Sequence, residues 1–375
     1  MLPLLTPAAQ VGGRALINIL LLVYLLWALI AVPGSRMRVE RPALLLYAAL
    51  LLAYLLSVPG ALDARAGFHE WIKFALHTLA FYFTLIVLAR QPEAMRRFIA
   101  ALGVAGLLLL AALLAVLPFK MQDPAFLPTT HMVEDNLPFL LPFSLYYLVV
   151  MRKLRWGRWI GLVLVAVVMT YVALSQGRAA LAGLLAALIV YGMFVLRWPL
   201  GKVALVGLVL LAIAVGVSYE TFFRQAGSTD WIVWLDKFTS FRSQLWRQAL
   251  AHPPANALLG VGMANVSNYP EVVQVLRNYS LGHLHNFLFD AWYETGLLGL
   301  TALLAFVATP FVRGWRVARA GGEQGAWAGL FLASTTALLV AGLLSFSYAS
   351  RQFALYLPML LAALWSLGVV RRAST

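Results

Sequence analysis

Long apolar stretches recur along the whole 375-residue chain and are separated by short polar connections. Hydrocarbon offers no hydrogen-bond partners, so such a chain can cross a membrane only as helices or as a closed barrel. Most of the stretches reach the length of about 17 to 25 residues that a spanning helix needs, and the alternation typical of barrel strands is absent. The sequence therefore predicts an all-α polytopic membrane protein.

The composition excludes a water-soluble fold. Hydrophobic residues make up 62% of the chain and charged residues only 11%, whereas soluble domains carry roughly 25% charge. The chain has no cysteine, which excludes disulfides and cysteine metal sites.

The hydropathy pattern predicts eleven spans in one integrated membrane domain, or twelve if the first apolar segment is split. That segment follows Arg14 and is too long for the apolar region of a signal peptide, so we expect a retained helix. Eight spans lie in residues 1–219, a large loop covers 220–282, and three spans follow in 283–375. The predicted spans are 15–33, 42–58, 71–89, 98–118, 136–151, 159–175, 179–196, 203–219, 284–308, 325–345 and 353–370.

Basic residues concentrate in alternate connections, while the remaining connections hold most of the acids. The positive-inside rule places the basic connections in the cytoplasm and the loop 220–282 on the opposite side. Membrane orientation thus explains the formal net charge of +14, and nucleic acid is not an expected partner. The basic set holds 17 of the 28 Lys and Arg residues: Arg36, Arg38, Arg41, Arg90, Arg96, Arg97, Arg152, Lys153, Arg155, Arg158, Arg197, Lys202, Arg313, Arg316, Arg319, Arg371 and Arg372.

Apolar side chains in the large loop recur at near-helical spacing. They predict an amphipathic helix that lies in the membrane interface or packs on the bundle as a lid. Arg247 would then belong to its solvated face. Further along, Gly260-Val261-Gly262 predicts a turn that allows close packing. The apolar positions are Trp231, Trp234, Leu235, Phe238, Leu245, Trp246 and Ala249.

Two arginines at the predicted outer face are candidate functional groups, because a charge at the centre of a membrane helix costs about 2.5 to 3.5 kcal/mol. Arg178 lies in a very short turn between two apolar helices. Its guanidinium could form an anion site that matches phosphate, or it could extend to the lipid headgroups. Arg242 could likewise bind an anion or lie on the solvated face of the loop helix.

Histidines mark the point where the loop re-enters the membrane, in Gly282-His283-Leu284-His285-Asn286. Such a histidine can act as a general base near neutral pH, or can simply be a hydrogen-bonded interfacial residue. Asp290 could orient an imidazole. Alternatively, it could cap the start of the helix, where an acidic side chain interacts favourably with the helix dipole. A His-x-His pair without clustered carboxylates is a weak metal signature, so no metal and no cofactor are expected.

Lys73 belongs to a further polar patch at the predicted outer start of the third span. The patch also contains His69, Glu70 and His77. We expect this patch to form a wall of the substrate pocket.

Together these residues resemble the O-antigen ligase family, membrane glycosyltransferases related to O-antigen polymerases. His285-Asn286 is followed after nine residues by Gly296-Leu297-Leu298-Gly299, which is similar to the family's histidine and Gly-x-x-Gly pattern. Arg242 with Trp246 four residues later supports the resemblance, as does the segment 254–262. The family usually has Ser-Arg-Gly where this chain has Ser-Gln-Gly-Arg at 175–178.

The resemblance implies a GT-C-like helical fold in a Gram-negative inner membrane, with the active site facing the periplasm. The donor would be a glycan on undecaprenyl diphosphate, and the acceptor a sugar hydroxyl of lipid A-core. His285 is the candidate catalytic base, and Arg178 and Arg242 would bind the diphosphate. The candidate orienting or pocket residues are His283, Asn286, Asp290, Arg247 and Lys73.

Transfer by direct attack from the opposite face would invert the anomeric configuration. Arginine can stabilise a diphosphate without a divalent metal, and the chain has no Asp-x-Asp pair, so a metal-independent reaction is predicted. An O-antigen or capsule polymerase with the same donor is the closest alternative. A transporter of lipid-linked glycans is the second, although it would need no general base.

Overall fold

The computed structural model describes residues 40–88, 92–122, 136–174, 177–222, 231–269, 272 and 283–373. Within these residues the chain forms helices, turns and irregular segments, with no β-strand. Short 3₁₀ turns lie at Val58–Gly60 and Val266–Asn268, and the π-helical turn Tyr147–Met151 extends α4. The helices are α1 (Arg41–Leu56), α2 (Ala64–Leu88), α3 (Pro92–Gln122), α4 (Leu137–Tyr146), α5 (Gly157–Leu174), α6 (Arg178–Phe194), α7 (Leu200–Phe222), α8 (Trp231–Phe238), α9 (Arg242–Ala251), α10 (Phe287–Ala320), α11 (Gly322–Leu344) and α12 (Arg351–Ala373).

Five segments in the described part of the chain are long and apolar enough to cross a membrane: Arg41–Gly60, Ala64–Leu88, Glu93–Ala115, Phe287–Ala320 and Gly322–Leu344. Shorter apolar helices lie within α4, α5, α6, α7 and α12. The prediction of an all-α, multi-pass membrane protein is confirmed. The predicted span 15–33 lies outside the described residues, so a total of eleven or twelve stays a prediction, as do the domain boundaries.

Several helices extend beyond the predicted spans. α10 runs to Ala320 and contains Arg313, Arg316 and Arg319, which were predicted to lie in a loop. Residues 297–320 alone, 24 residues of this helix, span about 36 Å at 1.5 Å per residue, more than the roughly 30 Å of hydrocarbon. Hydropathy identifies only the part of a helix that suits lipid, so the polar continuation of α10 was predicted wrongly.

The helix α11 lies at the centre of the bundle, where it packs against α4, α6, α10 and α12. It is the most buried of the five candidate spans. Small residues repeat along it at every fourth position, and such a stripe lets neighbouring helices approach closely. The stripe consists of Gly325, Gly329, Ala333, Ala337 and Ala341.

The helices α6 and α11 pack closely in antiparallel register. A Cβ on Gly329 would lie 2.7 Å from the Cβ of Phe194, near the end of α6. A Cβ on Gly183, near the start of α6, would lie 2.6 Å from the carbonyl oxygen of Ala337. Extending this register five residues back from Gly183 places the start of α6 level with the end of α11.

The helix α10 is broken at Gly296, whose φ of 65° and ψ of −168° are non-helical. The carbonyls freed by the break accept bonds from the loop that precedes the helix. Val261 N donates to Tyr293 O at 3.0 Å, and Gly262 N donates to Glu294 O at 2.8 Å. The loop thus satisfies backbone groups that would otherwise be unpaired.

Glycine is required on both sides of this junction. Gly260 and Gly296 have φ values of 72° and 65°, in the left-handed region that disfavours other residues. A Cβ on Gly260 would lie 2.6 Å from Glu294 O, and one on Gly296 would lie 2.3 Å from Leu258 O. The predicted close-packing turn is confirmed, and its packing partner is the Gly-x-x-Gly segment.

The described part of the large loop contains two short α-helices where the sequence predicts a single amphipathic helix. α8 ends at Phe238 and α9 begins at Arg242. Between them Ser240 and Phe241 have φ values of 54° and 65°, which no right-handed helix accommodates. The near-helical spacing of apolar residues continued across this turn, so periodicity alone did not reveal it.

Candidate active site

Asn286 and Asp290 organise the start of α10. The Asn286 side chain accepts hydrogen bonds from Leu288 N at 3.0 Å and Phe289 N at 3.2 Å, as a helix N-cap does. Asp290, one turn later, is 1% exposed, and its carboxylate accepts a bond from Leu284 N at 2.9 Å. Both residues therefore fix the backbone of residues 283–286, the histidine segment, and neither needs to contact a substrate to do so.

Trp246 of α9 attaches the histidine segment to the loop helices. Its indole Nε1 donates to Leu284 O at 2.8 Å, and its ring stacks on Phe289 with the ring centres 6.0 Å apart. Leu284 is thus held through its N–H by Asp290 and through its carbonyl by Trp246. This double attachment aims the side chain of the next residue.

His285 connects the histidine segment to the end of α11. Its φ of 54° is uncommon for a non-glycine residue, and its N–H donates to His283 Nδ1 at 3.0 Å. Its own Nδ1 lies 3.1 Å from the carbonyl oxygen of Ser345. The two imidazole rings stack with their centres 4.0 Å apart.

These contacts assign the protons of the two imidazoles. A carbonyl oxygen can only accept, so Nδ1 of His285 carries the proton and Nε2 keeps its lone pair. For His283, the bond from His285 N requires an unprotonated Nδ1. Asp290 Oδ2 is farther from that Nδ1, at 3.5 Å, so the shorter bond decides the tautomer.

The surroundings keep His285 neutral. Burial, followed by electrostatic interaction with His283 and Arg242, lowers the pKa of His285 from 6.5 to about 3, against the opposing effect of the bond to Ser345 O. Desolvation and nearby positive charge both disfavour an imidazolium. His285 is therefore available as a proton acceptor through the whole physiological pH range.

Arg242 is the first residue of α9 and follows the left-handed turn. Its Nη1 donates to the carbonyl oxygen of Leu344, at the C-terminal end of α11, where helix carbonyls attract cations. Arg242 and His285 thus bond to consecutive residues, Leu344 and Ser345. The end of α11 brings together an arginine and a histidine that are 43 positions apart in the chain.

Arg178 is the first residue of α6. The antiparallel register of α6 and α11 places it at the same end of the bundle as Leu344. Its side chain is partly buried there. The predicted grouping of Arg178 and Arg242 with His285 at one end of the bundle is thus consistent with the fold, and their roles stay predictions.

Comparison with known proteins places this site in a family. Residues 163–304 match the family model described as O-antigen ligase. This segment is similar to the O-antigen ligase family. No curated protein matches the chain. The match confirms the resemblance found from the sequence. Members of the family are membrane glycosyltransferase-like enzymes, both ligases and polymerases.

The ligase-family segment holds Arg178, Arg242 and His285, but part of the site lies outside it. The carbonyls of Leu344 and Ser345 bind Arg242 and His285 from residues beyond position 304. Sequence reasoning missed them because any residue at the end of a helix offers such a carbonyl. Only the antiparallel packing of α11 could have indicated them.

Tyr348 is a second residue that sequence reasoning missed. It is 1% exposed, and its hydroxyl donates to Glu294 Oε2 at 2.5 Å. The Glu294 carboxylate also accepts backbone bonds from Ala264 and Val266. Glu294 therefore ties α10 of the ligase-family segment to the loop that follows Gly262 and to the connection between α11 and α12.

Arg247 has a structural partner in the ligase-family loop. Its Nη2 donates to both carboxylate oxygens of Asp236, at 2.7 and 2.8 Å. Burial raises the pKa of Asp236, but hydrogen bonds from Ser243, Gln244 and Arg247, with the charge of Arg247, outweigh it and lower the pKa. Asp236 thus clamps α8 onto α9, and Arg247 stabilises the turn.

Lys73 forms an ion pair with Glu70 at 3.0 Å and is 48% exposed. It lies before the ligase-family segment, on α2. No hydrogen bond or ion pair joins Lys73 to the histidine segment among the described residues, and its role as a pocket wall stays a prediction. The described residues also contain no group of three or more His, Asp or Glu side chains able to hold a metal, and metal independence likewise remains a prediction.

Proposed function

We propose that this protein is an O-antigen ligase, which transfers a glycan from undecaprenyl diphosphate to a sugar hydroxyl of lipid A-core in lipopolysaccharide biosynthesis. The reaction takes place at the periplasmic face of a bacterial inner membrane. The observation that carries the proposal is a neutral His285 held beside Arg242 in a segment of the O-antigen ligase family. This pair offers a base for the acceptor and a cation for the donor.

The acceptor hydroxyl must lose its proton as it attacks. In the proposed step its proton passes to Nε2 of His285, while Nδ1–H remains bonded to Ser345 O. A positioned base of this kind contributes about 10²- to 10⁴-fold. The acceptor oxygen bonds to the anomeric carbon as the bond from that carbon to the diphosphate breaks, and attack from the opposite face inverts the configuration.

The leaving diphosphate gains negative charge in the same step. Arg242 is held in place by Leu344 O, and Arg178 begins α6 level with the end of α11. The two guanidinium groups are therefore proposed to stabilise that charge. Diphosphate bound to Arg242 would offset one of the charges that lower the pKa of His285. Donor binding would thereby make the histidine a stronger base.

The direct test is transfer in vitro from undecaprenyl-diphosphate glycan to purified lipid A-core. We expect product from the intact protein and a loss of about 100-fold or more in turnover for His285→Ala. His252→Ala is the matched control, because His252 is an exposed histidine of the same loop and should leave turnover unchanged. Excess chelator should have no effect if transfer is metal-independent.

Each other result contradicts part of the proposal. Normal turnover in His285→Ala would exclude His285 as the base, and loss of transfer in chelator would exclude the metal-free reaction. Elongation of the lipid-linked glycan without transfer to lipid A-core would identify a polymerase. Absence of any transfer, under conditions in which a validated ligase is active, would favour a transporter.

A further inference from the structure

Two adjoining cavities lie at the end of the bundle opposite His285. The larger has a volume of about 610 Å³ and is lined by Leu188 and Tyr191, late in α6, whereas Arg178 at the start of α6 marks the histidine end. The smaller has a volume of about 500 Å³. They share Val149 and Arg158 in their walls and so adjoin each other.

The two cavities differ in chemistry. Aliphatic and aromatic side chains dominate the wall of the larger one, and its charged lining residues are Arg158 and Lys202. The smaller cavity is lined by Lys153, Arg155 and Arg158 together with two tryptophans. An apolar cavity thus adjoins a strongly basic one.

The charged side chains that line this site are all cationic. Neither set of described lining residues contains Asp or Glu, so its four cationic side chains have no acidic neighbour in the cavity walls. Lys202 Nζ lies 4.5 Å from the ring centre of Trp198, and Trp156 and Trp159 are exposed beside the smaller cavity. Tryptophan typically lies at the headgroup level of a bilayer.

We propose that these cavities bind an anionic phospholipid, with an acyl chain in the larger cavity and the phosphate headgroup among Lys153, Arg155, Arg158 and Lys202. The larger volume falls within the roughly 300 to 1,000 Å³ typical of small-molecule sites. Basic pockets between membrane helices are suited to anionic headgroups. This lipid site is separate from the proposed donor site, because the two lie at opposite ends of α6.

The proposal is tested by native mass spectrometry of the purified full-length protein with added phosphatidylglycerol or phosphatidylcholine of identical acyl chains. We expect phosphatidylglycerol to bind more tightly. The double variant Arg158→Gln/Lys202→Gln should weaken its binding roughly 30-fold. The matched control Arg316→Gln/Arg319→Gln removes two exposed charges from the end of α10 and should leave binding unchanged.

A second variant tests the apolar cavity without changing charge. A Cβ on Gly161 would lie 3.5 Å from the side chains of Leu145 and Val149, at ordinary contact distance. Gly161→Leu should therefore fold and fill part of the larger cavity, which would weaken binding of phosphatidylglycerol. Equal binding of the two lipids, equal weakening by the control pair, or unchanged binding to Gly161→Leu would each overturn the proposal.

Discussion

At the scale of single residues, the site depends on backbone groups as much as on side chains. Ser345 O orients His285, and Leu344 O orients Arg242. The backbone of Leu284, the residue before His285, is held by Trp246 and Asp290. Such bonds fix tautomers and directions without adding charge. The tautomer and the direction of His285 therefore depend on the position of the C-terminal end of α11.

The lowered pKa of His285 predicts a pH effect on stability. An unfolded histidine titrates near 6.5, whereas His285 in the folded protein has a pKa of about 3. Between these values the unfolded chain binds more protons, so the protein should lose stability as pH falls from 6.5 towards 3. The thermal midpoint in detergent should fall less steeply with pH for His285→Asn than for the wild type, and equal slopes would contradict the assignment.

Replacing Arg242 by lysine tests the guanidinium. Lysine keeps the charge but lacks the planar fork that can bond Leu344 O and face a diphosphate together. We expect Arg242→Lys to lower kcat by about 100-fold, as the loss of one preorganised donor does in other enzymes. Arg316→Lys, at the opposite end of α10, should keep wild-type turnover. Wild-type kcat in Arg242→Lys would exclude a guanidinium-specific role.

At the scale of elements, the break in α10 and the loop that fills it act as one unit. Gly260 and Gly296 let two backbones meet at distances that no side chain would permit. The histidine segment begins α10 only three turns before this junction, so the junction sets the direction from which His285 approaches α11. The Gly-x-x-Gly pattern is thus explained by packing.

Gly296→Ala should disrupt this junction. Alanine would have to adopt a φ of 65° and a ψ of −168°, a region that is essentially limited to glycine and costs about 1 to 3 kcal/mol. Its Cβ would also overlap Leu258, so a total destabilisation of about 3 kcal/mol is expected. Gly201→Ala is the control, since a Cβ there meets no atom within 4 Å. Thermal unfolding in detergent would measure both, and equal midpoints for the two variants would show that the junction tolerates a side chain.

Sequence reasoning predicted the elements unevenly, for physical reasons. The lengths of the apolar stretches correctly located ten predicted spans, each of which falls on an observed helix. This works because a helix must be long enough to cross the hydrocarbon of the membrane. Sequence reasoning placed His285, Arg242 and Arg178 at one end because charge asymmetry fixes helix direction. It did not predict the turn at Ser240 and Phe241, or the carbonyls that hold His285 and Arg242, because tertiary contacts create these features.

At the scale of the whole molecule, the two ends of the bundle have different chemistry. One end holds the histidine segment and the short loop helices, and the other holds the basic cavities. α11 and its small-residue stripe connect them through the centre. This polarity agrees with the proposed periplasmic location of the site, because the positive-inside rule places basic surfaces in the cytoplasm.

Cysteine labelling can test this orientation cleanly, since the natural chain has no cysteine. In cells with a permeable outer membrane, an impermeant maleimide should label His252→Cys, in the loop near the site. It should label Arg319→Cys, in the last turn of α10, only after the inner membrane is opened. Both positions are exposed. The reverse pattern would invert the proposed topology.

The break at Gly296 also bears on how the protein is made. Until the segment 257–262 lies against α10, the carbonyls of Tyr293 and Glu294 lack their partners, and unpaired backbone groups in lipid cost several kcal/mol each. Insertion of α10 should therefore be completed only when the preceding loop has returned to the membrane surface. Biogenesis would couple loop docking to helix insertion, so the histidine segment would acquire its final geometry in the last stage of assembly.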